Sequence, residues 1–69
     1  MEAPIDITDV VALTEDLPAR GLYRGQVGTV VESLAAGVFE VEFPDEQGRA
    51  YASLALKKEQ LLTLRYEPA

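Results

Sequence analysis

The residues with the most chemical potential in this chain are carboxylates. Glu40 and Glu42 stand two apart in Val38-Phe39-Glu40-Val41-Glu42-Phe43, a run that alternates apolar and acidic side chains. On a strand that spacing puts both carboxylates on one face, ~6.5–7 Å apart by rise, a separation met in paired-carboxylate hydrolytic sites. A solvated outer face backed by an apolar inner one has the same pattern, and exposure is the commoner state of a carboxylate. Nothing else completes a catalytic set. Histidine and cysteine are absent, and neither Ser33 nor Ser53 has an evident partner base. The commonest bases and nucleophiles are therefore missing, and the chain reads as a non-enzyme with no catalytic residues.

Oxygen ligands gather at Asp45-Glu46-Gln47-Gly48, but the twelve-residue pattern of a calcium loop is lacking. A polar turn accounts for the cluster, so neither a metal nor a cofactor is expected.

Charge narrows the remaining classes. Twelve acidic residues against six basic ones give a net charge of −6. Such a field repels nucleic acid and anionic membranes, and it favours basic partners or simple solubility. No base occurs from Gln26 to Gly48, whereas Glu32, Glu40, Glu42, Asp45 and Glu46 all fall there. These five acids form a candidate partner-binding face for a basic protein, with Leu22, Tyr23 and Tyr51 as apolar anchors. The competing readings are an acidic surface that only solubilises the domain, and a Tyr23 that acts as a lid on the core.

The alternative function is an RNA- or ribosome-associated domain using Arg20, Arg24, Lys57, Lys58 and Arg65, with Tyr51 and Tyr66 stacking on bases. The whole-chain field opposes that encounter, which makes nucleic acid the lesser expectation. Glu15, Asp16 and Tyr23 echo the acids and aromatics with which signalling SH3 domains hold proline-rich peptides. The chain has no tryptophan and lacks their paired aromatic motif, so that mode is set aside.

The elements that must position these residues are short. A chain of 69 residues makes one domain and buries only about 60% of its unfolded surface. The first strand is predicted over Asp9–Thr14, followed by a loop from Glu15 to Gly25 punctuated by Pro18 and Gly21. Gly25 and Gly28 open a long strand, Gln26–Leu34, and supply positive φ, close approach or a bend; Gly21, Gly25 and Gly28 are thus structural turn residues. Val27 and Val31 fall on one face of that strand and Val30 and Leu34 on the other, so it is central or bent. After a turn at Ala35-Ala36-Gly37 come strand Val38–Phe43, turn Pro44–Gly48 and strand Arg49–Leu56. A helical turn at Lys57–Gln60 precedes the last strand, Leu61–Tyr66.

This order predicts an all-β fold, a small five-stranded antiparallel SH3-like barrel with one short helical turn before the last strand. Residues 1–8 are expected as a flexible lead-in, 9–66 as the domain and 67–69 as a frayed end. Barrel closure would remove exposed edges; the rival is an open five-stranded sheet that dimerises, leaving monomer or homodimer open. The N-terminus has no basic n-region, and no stretch reaches the ~18–20 apolar residues of a membrane span, so a cytoplasmic location is expected.

Several of these stretches together resemble a known family. They are Asp9–Leu13, Gly21-Leu22, Arg24–Glu32, Phe39–Phe43, the acidic turn after it, and Leu56–Leu61. In that order they resemble a family of short bacterial proteins known only as a domain of unknown function, and the likeness runs over roughly residues 6–64. The resemblance implies an SH3-like fold and carries no established activity. Occasional proximity of its members to toxin-like genes implies an antitoxin or immunity role. More loosely, Gly25-x-x-Gly28-x-Val30 is similar to the turn of ribosome- and transcription-associated RNA-binding barrels, and of small accessory barrels docked on larger complexes. That likeness concerns the turn and brings no function with it.

Overall fold

The computed structural model describes residues 5–45 and 47–64, with only the backbone for Ala50 and Tyr51. Five strands form: β1 (Val10–Leu13), β2 (Val27–Ala35), β3 (Val38–Pro44), β4 (Ala50–Lys57) and β5 (Leu61–Leu64). Two 3-10 turns accompany them, at Pro18–Arg20 and Lys58–Gln60. All pairings are antiparallel, in one sheet of order β4-β3-β2-β1-β5. No helix among the described residues is long and apolar enough to cross a membrane.

Period-two alternation decides the faces. Val11 and Leu13 of β1, Val30 of β2, Phe39, Val41 and Phe43 of β3, Leu54 and Leu56 of β4, and Leu61 of β5 all enter one core. Strands as distant in the sheet as β1 and β4 share that core, so the sheet curls around it. At ~25 cal/mol per Å² of apolar surface, this burial is the main force holding a chain without disulfides. No polar side chain is buried among the described residues.

The curl stops short of a closed barrel. Among the described residues the ladder ends at β4 and β5, which do not pair with each other, so two edges remain where closure was expected to abolish them. The turn between them is held from two sides. The Lys58 amide donates to the Gly37 carbonyl (2.9 Å), and the Thr14 amide and hydroxyl donate to the carbonyls of Gln60 and Glu59 (both 3.0 Å).

Two further expectations need correction. Residues 5–8 are tied down: the Thr8 amide donates to the Val30 carbonyl (2.7 Å), the Asp6 amide to Asp9 Oδ2 (2.9 Å), and Ile5 packs on the core. The bend of β2 also lies elsewhere. Its register shifts fall between Val30 and Glu32 and between Ser33 and Ala35, downstream of Gly28. Of the two readings of β2, central or bent, the sheet order makes it central, third of five, and its two register shifts interrupt it as well.

Candidate protein-interaction face

The loop between β1 and β2 shows how local sequence positions the predicted anchors. Pro18 sets the start of a 3-10 turn, and Gly21 ends it in left-handed geometry (φ 69°). The Leu17 and Leu22 amides then exchange hydrogen bonds with each other's carbonyls (2.8 and 3.2 Å), a one-rung bridge across the turn. Leu22 points into the core with no exposed surface, so it is a core residue and offers nothing to a partner. Tyr23, next in sequence, is 54% exposed, which rules out the lid and leaves it accessible. Its amide donates to Gln26 Oε1 (3.0 Å), fixing the backbone from which the ring projects.

Gly25 takes φ of 90° and donates its amide to the Leu13 carbonyl (2.8 Å), returning the loop to the sheet. Gly28 has no positive φ. A Cβ there would lie 2.8 Å from the Glu42 carbonyl and from the Phe43 ring, so this glycine is required for close approach.

The carboxylates occupy the outer face of the curled sheet. Glu40 stands opposite Glu32 of β2 on one side and Ala55 of β4 on the other; Glu42 stands between Thr29 and Ser53. Glu32 and Glu42 are exposed, and Glu40 is half-buried. Opposed glutamates on neighbouring strands repel, and their side chains sit within about 5 Å at Cβ. The Ser53 hydroxyl donates to Glu40 Oε2 (3.0 Å) and relieves part of that repulsion.

Asp45 is employed differently. Its Oδ1 accepts the amides of Gln47 and Arg49 (both 2.9 Å), and its Oδ2 faces Arg49 Nε at 3.2 Å. It therefore closes its own turn, and its charge is matched by Arg49. This is the one ion pair with both partners among the described residues. Glu46 lies outside the described residues, as does the side chain of Tyr51.

The outer face has an apolar half that the sequence reading missed. Val10 stands between Leu64 and Thr29, and Ala12 between Leu62 and Val27. Val10, Val27, Leu62 and Leu64 are between 42% and 58% exposed and surround the small Ala12. The row Leu64-Val10-Thr29-Glu42-Ser53 crosses the entire sheet, so this apolar half and the glutamates form one continuous surface. The signal was present in the alternation of Val10-Val11-Ala12-Leu13 and Leu61-Leu62-Thr63-Leu64, whose outward positions are apolar too.

The described bases outside the Asp45 turn fall on two segments, each with acids beside them. Arg20 and Arg24 lie on the loop, where Asp16 Oδ1 accepts the Arg24 amide (2.9 Å). Lys57 and Lys58 adjoin Glu59, and Glu15 Oε2 accepts from Gln60 at 3.4 Å. Acids are thus interleaved with these cations. Arg65 lies outside the described residues.

Comparison with known proteins gives one family. The model described as Domain of unknown function (DUF4926) matches residues 7–63, from the turn before β1 into β5. No curated protein and no solved structure matches.

Proposed function

The chain belongs to the DUF4926 family, and on that footing we propose that it is a non-catalytic, SH3-like protein-interaction module whose outer sheet face binds a basic partner protein. The observation that carries the reading is the bipartite face. Glu32, Glu40 and Glu42 adjoin the apolar patch of Val10, Val27, Leu62 and Leu64. Charge of one sign speeds encounter and fixes register, while exposed apolar side chains beside it supply affinity when desolvated. In its most concrete form the module is a cytoplasmic bacterial antitoxin or immunity protein, or an accessory subunit, that neutralises a cationic surface.

The test is recovery of a basic protein from the source cell's extract at low salt, using the tagged full chain. Wild type is expected to retain such a partner and the Glu40→Lys/Glu42→Lys variant to lose it. Unchanged recovery by the variant overturns the assignment of the face. The RNA-binding alternative is checked alongside by titration at about 50 mM salt, where phosphate contacts are strong. Binding there that disappears in Arg24→Glu/Lys58→Glu would replace the protein-partner reading.

A further inference from the structure

We propose that the free edge of β4 is a strand-addition site that takes an extended segment of the partner protein carrying basic residues at alternate positions. This rests on the acidic-face reading and specifies how that face is used. Among the described residues the sheet has two edges. β5 contributes four residues there, whereas β4 runs for eight from Ala50 to Lys57 and is paired on one side to β3. In an antiparallel ladder, alternate residues of an end strand turn their N–H and C=O groups away from the sheet, ready for another strand.

Natural edges of this length are usually blunted by proline, by charge or by a bulge. Ala50–Lys57 contains no proline, its single charge is its last residue, and its one register shift against β3 skips Tyr51 near the start of β4, which leaves Ala52–Lys57 regularly paired. Added strands give affinity through the main chain and specificity through alternate side chains.

The neighbours of that edge determine the occupant. Ser53 and Ala55, outward-facing and exposed, are the small residues standing opposite Glu42 and Glu40. A strand added to β4 would lie two strand spacings from β3, ~9.5 Å. The flexible four-carbon stem of a lysine laid across Ala55 or Ser53 bridges that gap toward the glutamates, with its apolar length on the small side chains and its ammonium at the carboxylates. Bulkier residues at 53 and 55 would block the path. A second copy of the chain is the poorer occupant. Pairing β4 with β4 would bring together two chains of net charge −6, with their glutamates on one continuous face.

The probe is a synthetic peptide of about ten residues alternating Lys and Val, comparable to an added strand. Two further versions are N-methylated, one on every Lys and one on every Val, which blocks one edge of the peptide or the other. Binding is measured by fluorescence anisotropy, and amide hydrogen exchange is followed along the full chain.

The unmethylated peptide is expected to bind and to slow exchange at alternate amides of 50–57. One methylated version should bind about tenfold more weakly than the other, and Glu40→Gln/Glu42→Gln should weaken binding by about tenfold. If the glutamine variant weakens binding but both methylated peptides bind alike, or protection appears on β5, strand addition falls and the acidic face stands. Equal affinity of the glutamine variant overturns the acidic face itself. No binding of the peptide, or concentration-dependent protection of β4 without it, overturns the proposal, the second result in favour of self-association.

Discussion

Gly28 and Phe43 share a space that admits only one side chain. The Phe43 ring is fully buried against β2, and a Cβ on Gly28 would sit 2.8 Å from two of its ring carbons. Gly28→Ala is therefore expected to cost about 1–3 kcal/mol, the usual range for overpacking, read as a lower urea midpoint at unchanged slope. The Glu42 carbonyl is equally close, so trimming the ring with Phe43→Leu should rescue the alanine variant only in part.

Leu22 and Tyr23 are adjacent and should respond oppositely. Leu22→Ala empties a fully buried site and should cost about 2–5 kcal/mol. Tyr23→Ala changes an exposed side chain and should stay within about 0.5 kcal/mol. Thermal unfolding of both variants separates them. Equal losses would place Tyr23 in the core.

Asp45 separates turn formation from charge. Asp45→Ala removes the acceptor of two backbone amides and should destabilise by about 1 kcal/mol. Asp45→Asn keeps a side-chain acceptor and loses only the ion pair to a largely exposed Arg49, a loss of about 0–1 kcal/mol that shrinks with added salt. Denaturant unfolding at low and high salt distinguishes the two contributions.

Glu32 faces Glu40 across the β2–β3 ladder. Glu32→Lys converts a repulsive cross-strand pair into an attractive one and should stabilise by about 0.2–1 kcal/mol at low salt, with the gain fading at high salt. A destabilised variant would show that Glu32 has a favourable partner. The same substitution should weaken capture of a basic partner, so stability and binding would move in opposite directions.

The alternation of Phe39, Val41 and Phe43 with Glu40 and Glu42 by itself determined one strand and the orientation of its acids, because a pleated strand sends successive side chains to opposite faces. Pro18, Gly21 and Gly25 likewise marked the loop, since each restricts or frees φ at its own residue. The five-strand, all-β class followed from these local rules. The reason for Gly28 was not legible, because it depends on a ring fifteen positions away in sequence. Nor could Leu22 be told from Tyr23, both apolar-bodied residues in one loop, until the Leu17–Leu22 bridge turned one inward.

Sequence alone thus determined which residues are acidic, which are apolar and, in the regularly alternating β3, which face each takes. Tertiary structure decided which strands are neighbours. Register is a long-range property, set when distant segments pair around a shared core. It placed Glu40 opposite Glu32, assigned the Asp45 carboxylate to its own turn and set Val10 beside Leu64. It also left β4 at the rim of the sheet.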